Sequence, residues 1–253
     1  MKTIRIGCSG YYYSSWKGKF YPQELKPSQW LGYYSGVFNT VELNGTFYRT
    51  PKPSDLQKYF RMTPDDFSFS VKASKFITHV LKLKDAAKQV IDFSKLMEDN
   101  LGNKFEKLLF QLPPSFKYSE ENLDRVCESI SSSERNVVEF RDASWWNDTV
   151  KKRLHAHQLN FCNVDFPGMN VPFLHTTKHF YLRLHGVPEL FKSPYSENQL
   201  RSFYEKIPAA SSSVNIYFNN TYYEAAYRNA QTMMQIAGQQ KKTAERTTVY
   251  SKK

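Results

Sequence analysis

Three acids and three bases stand at the ends of short apolar runs, and their types suit proton transfer on an anionic substrate. Glu42, Glu139 and Asp165 supply carboxylates, while Lys72, Arg141 and Arg183 supply cations. His185 adds an imidazole that exchanges protons near neutral pH. Side chains two apart share one face of a strand, so Glu42 goes with Asn44, Glu139 with Arg141, and Arg183 with His185. Gln111, Asn219 and Asn220 end other runs. The expected catalytic set is Glu42, Glu139, Asp165 and His185. The expected substrate-binding set is Lys72, Gln111, Arg141, Arg183, Asn44, Asn219 and Asn220, joined by Tyr12 and Trp16 from an aromatic loop. Charged neighbours can also simply neutralise one another. Burying so many ions without function would, however, cost several kcal/mol each. The balance of signs argues for a small anionic ligand and against a highly charged two-metal site.

Lys72 is able in principle to form a Schiff base, although an ion pair with Glu42 or Glu139 is the commoner arrangement. Glu42 and Glu139 fit an acid/base pair, and two carboxylates would also serve glycoside hydrolysis at a defined separation. The stretch Tyr181-Leu182-Arg183-Leu184-His185-Gly186 joins an anion-binding fork to a proton carrier. Gly186 is expected to let the backbone approach a ligand. Asn219-Asn220-Thr221 is expected to lead into a helix N-terminus that favours an anion. His155 and His157 fall on the helix after the fifth run, away from these ends. No His, Cys, Asp or Glu spacing makes a metal motif, so no metal is expected. There is no P-loop, G-x-G-x-x-G or nucleophile elbow, and the cofactor stays unknown.

Eight such runs must position these groups: residues 4–9, 37–44, 67–72, 108–111, 137–141, 161–165, 180–185 and 214–220. Helix-like patterns separate most of them. Pro27-Ser28 opens one, Ser54 caps the next, and 85–100 shows helical spacing up to a stop at Gly102. Ser119 and Ser196 start two more, Val150 and Leu154 mark another, and the last runs over 222–237 before Gly238. The link 166–178 reads as irregular. The pattern is that of an α/β protein, a TIM-type (β/α)8 barrel whose strand ends converge on one face. The loop holding Tyr11, Tyr12, Tyr13, Trp16, Phe20 and Tyr21 either stacks on sugar or base rings or seals the mouth as core.

The length of 253 residues fits one barrel domain, 1–238, followed by a basic tail, 239–253, that is expected to be disordered. That tail carries +4 of the net +11. The charge favours anionic partners, a small anionic ligand first and nucleic acid second. Cys8, Cys127 and Cys162 read as buried reduced thiols. With no apolar leader and no run of membrane-spanning length, the expectation is a cytoplasmic protein without a membrane partner.

Taken together, the motifs resemble the YecE-like family, domain of unknown function 72. They are Ile6-Gly7-Cys8-Ser9-Gly10, Trp16-Lys17-Gly18, Phe20-Tyr21-Pro22, Val41-Glu42-Leu43-Asn44 and Thr46-Phe47-Tyr48. Phe69-Ser70-Val71-Lys72-Ala73, Ile77-Thr78-His79 and Phe110-Gln111-Leu112-Pro113-Pro114 follow. Glu139-Phe140-Arg141 with Ser144-Trp145, the stretch 181–186 and Phe218-Asn219-Asn220 complete the set. The resemblance implies a TIM-type barrel and no particular reaction. One departure is Gly10-Tyr11-Tyr12, where the family usually has Trp after Gly. The leading expectation is a hydrolase or lyase acting on an anionic, phosphate-containing or similar substrate. The alternatives are a nucleic-acid-binding barrel or metal-assisted nuclease, and a non-catalytic ligand-binding barrel.

Overall fold

Each apolar run becomes a strand because β-branched and aromatic side chains fit a pleated surface covered on both faces. The computed structural model describes residues 2–238; the basic stretch 239–253 lies outside them. The strands are β1 (Thr3–Cys8), β2 (Thr40–Leu43), β3 (Ser68–Lys72) and β4 (Phe105–Gln111), then β5 (Asn136–Glu139), β6 (Asn160–Asp165), β7 (His179–Leu184) and β8 (Ser213–Phe218). All their ladders are parallel, in the order β1-β8-β7-β6-β5-β4-β3-β2. Between them run α1 (Trp30–Val37), α2 (Gly45–Tyr48), α3 (Pro53–Met62), α4 (Ala87–Leu101), α5 (Glu120–Ser129), α6 (Asp148–Ala156), α7 (Glu197–Glu205) and α8 (Ala225–Ile236). The result is a single (β/α)8 barrel of TIM type, and its β6–β7 link carries no helix, as its Pro and Gly content predicts.

Three local expectations need correction. Residues 37–39 belong to the end of α1 and the turn after it, so β2 is only four residues long. Ser54 does not cap α3: Lys52 holds the cap position, and Pro53, whose missing N–H costs nothing there, starts the helix. The last helix begins at Ala225 rather than near 222, because Glu224 takes the cap position and pairs with Lys19 and Arg228. Ser119 and Ser196 do cap α5 and α7, each accepting a backbone N–H.

The ring closes between β1 and β2 without a full ladder. One bridge, Ser9 to Glu42, joins them at the top. Below it the Asn39 side chain takes the place of a strand, accepting from Ile6 N at 3.1 Å and donating to Ile4 O at 3.0 Å. The Tyr34 hydroxyl accepts from Cys8 N at 2.7 Å and donates to Thr40 O at 3.1 Å. Gly7 leaves room for this wedge: a Cβ there would stand 2.2 Å from Thr40 O and 2.9 Å from the Tyr34 hydroxyl.

Inside the barrel the side chains form tiers. At the bottom Arg5 pairs with Glu106 at 3.1 Å, and Asn215 donates to the same carboxylate at 3.2 Å. In the middle Leu109, Val137, Cys162, Val164 and Tyr181 pack around Tyr217, whose hydroxyl lies 2.8 Å from both Thr40 and Ser70. The upper tier holds the charges. Cys8, Cys127 and Cys162 are free and buried. Among the described residues no helix is long and apolar enough to cross a membrane.

Candidate active site

Arg183, pointing inward from β7, joins the two carboxylates that spacing alone had left at an unknown separation. Its Nη2 and Nε donate to Glu42 Oε1 at 2.7 and 3.1 Å, and its Nη1 donates to Glu139 Oε2 at 2.6 Å. All three side chains are essentially without solvent contact. The remaining lone pairs of Glu42 are met by the Ser9 hydroxyl at 2.8 Å and the Tyr181 hydroxyl at 2.7 Å. Glu139 also accepts from Arg141 Nε. Burial alone would raise the Glu139 carboxyl, but Arg141 and Arg183 outweigh it and hold the group well below the usual carboxylate range. Burial likewise opposes the charge on Arg183, and Glu139 and Glu42 more than restore it.

His185, two residues along β7, is fully buried at the edge of this ring. Asn219 Nδ2 donates to its Nδ1 at 2.9 Å, which puts the ring proton on Nε2. That nitrogen lies 3.5 Å from Glu139 Oε1 and 3.3 Å from Arg141 Nη2. Burial and the nearby Arg141 push its pKa well below the ordinary histidine value, so the imidazole is neutral. Arg141 lies just past the end of β5 with 9% of its side chain exposed, and its guanidinium stacks 4.3 Å above the Phe166 ring. Its Nη1 has no hydrogen-bond partner among the described residues.

Lys72 does not make the ion pair expected of it. Both carboxylates are saturated by guanidinium groups, and its Nζ instead sits 4.0 Å from the centre of the Phe47 ring. Burial and the positive Arg183 lower its pKa to about 7, against a smaller opposing pull from Glu139 and Glu42. Beside it, His79 packs edge-on against Phe47 and is lowered to about 4 by burial and Lys72. Gln111 faces Glu139 across the β4–β5 ladder but spends its amide on Leu112 O at 2.7 Å.

Five expected site residues lie elsewhere. Asp165 has the wrong parity: Cys162 and Val164 turn inward, so Asp165 turns outward and accepts from the Tyr195 hydroxyl at 2.7 Å. Burial raises its pKa, with the Tyr195 hydrogen bond opposing. Asn220 is outward for the same reason and holds Ser193 O and Asn229, each at 3.0 Å. Trp16 is 0% exposed and donates to Tyr223 O, so it is core. Asn44 has inward parity, but the chain leaves β2 at Leu43 and turns helical, carrying Asn44 into a separate groove of about 570 Å³. Tyr12, 64% exposed, lines that same groove with Tyr11, Tyr13 and Tyr59.

Two supporting expectations also change. Gly186 makes its close approach to Asn220 and to the backbone at Glu189 and Ser193, not to a ligand cavity. Asn219-Asn220-Thr221 do not lead directly into α8, which starts at Ala225 after Glu224, whose carboxylate pairs with Lys19 and Arg228. Among the described residues no three His, Cys, Asp or Glu side chains gather as a metal site. Ser9 and Tyr181 are members of the ring that the residue-type reading missed. Tyr181 shares the period-two face of Arg183 and His185, which it did select, whereas no residue of the Ser9 run was selected.

A family model described as "Protein of unknown function DUF72" matches residues 5–252. The chain is 30% identical over 134 residues to the UPF0759 protein YunF of Bacillus subtilis, covering 50% of this chain and 48% of that one. It is 34% identical over 138 residues to the UPF0759 protein YecE of Escherichia coli K12, covering 52% of this chain and 50% of that one. These matches thus span about half the length of the curated relatives. Among solved structures, a DUF72 family protein from Thermotoga maritima superposes with a TM-score of 0.84 at 32% identity, over 93% of this chain and 99% of that one. A DUF72 family protein from Enterococcus faecalis shares the fold at 18% identity, with a TM-score of 0.75 over 93% and 96% of the two chains. With the family model running nearly from end to end and the same barrel in its solved relatives, the chain belongs to the DUF72 family.

Proposed function

We propose that this barrel is an enzyme that takes a small anionic substrate at the mouth above the Glu42–Arg183–Glu139 ring. The observation that carries this reading is the charge count there. Two carboxylates, Glu42 and Glu139, are matched by two guanidinium groups, Arg183 and Arg141, and Lys72 is left as a cation without a carboxylate. A bound anion would supply the missing charge, meeting Lys72 and the unused Nη1 of Arg141. The paired ions beneath are fixed by mutual hydrogen bonds, so they present a preorganised field to charge developing in the substrate. Proton transfer then falls to Lys72, whose pKa of about 7 suits either direction near neutral pH, with Glu139 orienting Arg141. This composition fits lyase or hydrolase chemistry on a phosphate- or carboxylate-bearing compound.

The test is binding of inorganic phosphate, measured by calorimetry at constant ionic strength. Arg141→Met is expected to weaken it by more than about tenfold, the scale of one lost charge-assisted hydrogen bond. Arg49→Met, on the rim of the separate groove, is expected to change nothing. Equal affinities for wild type and Arg141→Met would overturn the reading.

A further inference from the structure

Lys72 is the charged side chain of the mouth whose terminal atom has neither a hydrogen bond nor an ion pair among the described residues. It ends β3 on the inward face, two residues above Ser70, which meets Tyr217 in the tier below. Its backbone is pinned, because the Thr46 hydroxyl donates to Lys72 O at 2.7 Å. The next residue, Phe47, presents its ring to Nζ. The amine is thus held at a defined point, on an apolar platform, at the open end of a polar barrel.

The groups that face it are Glu42 from β2, Glu139 and Arg141 from β5, Arg183 from β7, and His79 from the turn after β3. The two carboxylates are committed to guanidinium partners, so neither fixes the lysine as an ammonium ion. An amine without a committed partner, beside a guanidinium, is equipped to attack an electrophilic carbon whose substrate carries negative charge elsewhere.

We propose that Lys72 captures the carbonyl carbon of an anionic aldehyde or ketone as an imine, with Arg141 holding the anionic group. The amine lone pair adds to the carbon to give a carbinolamine. The carbonyl oxygen then leaves as water with the two amine hydrogens, and a C=N bond replaces C=O. No oxidant or reductant enters. The substrate class is an aldehyde or ketone bearing a phosphate or carboxylate. This inference rests on the anion-binding reading above and assigns the covalent step to one side chain. The lowered pKa of Lys72 agrees with it: about half of the amine is unprotonated at neutral pH, against roughly one in three thousand for an ordinary lysine.

The experiment uses the full chain and pyridoxal 5′-phosphate, an aldehyde with a phosphate, followed by borohydride reduction and peptide mapping. Lys72 is expected to label at least about tenfold faster than exposed Lys75 or Lys84, with a rate that rises to a plateau through a midpoint near 7. Added inorganic phosphate is expected to slow it, and pyridoxal without the phosphate is expected to label Lys72 about tenfold more slowly. Label spread evenly over surface lysines would overturn the proposal, as would a midpoint at the ordinary lysine value. Phosphate binding that depends on Arg141 without labelling of Lys72 would reject the imine and leave the anion reading standing. Selective labelling of Lys72 that ignores the phosphate would reject the anion reading and leave the amine's role. The labelling readouts come from the unmodified protein, so they do not depend on a Lys72→Met variant folding.

Discussion

Arg183 stands between two carboxylates that have no contact with water, and its planar fork is what bonds both at once. Replacing it with Met would leave Glu42 and Glu139 short of their shared cation in a low-dielectric interior. The expected loss of stability is about 3–5 kcal/mol, read as a shift of the urea midpoint. Arg183→Lys should recover only a minor part, because one ammonium group cannot bond both carboxylates as the fork does. A midpoint equal to wild type in Arg183→Met would remove the ring from the account of this fold. The same residues show what the sequence made legible. Period-two spacing selected Glu139 with Arg141 and Arg183 with His185, and these four do meet. Asp165 and Asn220 were selected for residue type at a strand end, where parity sends both outward. Ser9 and Tyr181 had the right parity and unremarkable types, so only the three-dimensional ring reveals their part.

At the scale of elements, the eight strands and most helix starts follow from apolar runs and capping residues, while the closure of the ring does not. The β1–β2 seam is held by the Tyr34 hydroxyl and the Asn39 amide, two side chains with no signature in a hydrophobic pattern. Tyr34→Phe removes an acceptor for Cys8 N and a donor for Thr40 O, both buried. The expected cost is about 1–3 kcal/mol, together with faster amide exchange at Cys8 than at the matched β7 position, Leu184. Gly7→Ala should cost more, since its Cβ would overlap backbone that has no free direction to move. Exchange at Cys8 unchanged in Tyr34→Phe would show that the seam is held by something else. Asn44 belongs to this scale as well. Its spacing was right for the site, but a four-residue strand ended one position too early to deliver it.

For the whole molecule, the recurrence of eight runs was enough to establish the barrel. What it could not convey is how the inside is filled. Arg5, Glu106 and Asn215 close the bottom, the Tyr217 tier fills the middle, and the charged ring forms the floor of the mouth. The net charge of +11 favours anions near the protein over roughly 8 Å at physiological ionic strength. A barrel packed this way has one doorway. On the proposed reading, whatever is made above the ring leaves by the path along which the next molecule arrives, and an anionic product keeps its hold on Arg141 until it goes. Substrate and product therefore compete for the same vacancy. Steady-state kinetics should show the last product released as a competitive inhibitor, raising the apparent KM while leaving kcat untouched, and a last product that also lowers kcat would mean that it does not share the substrate's place.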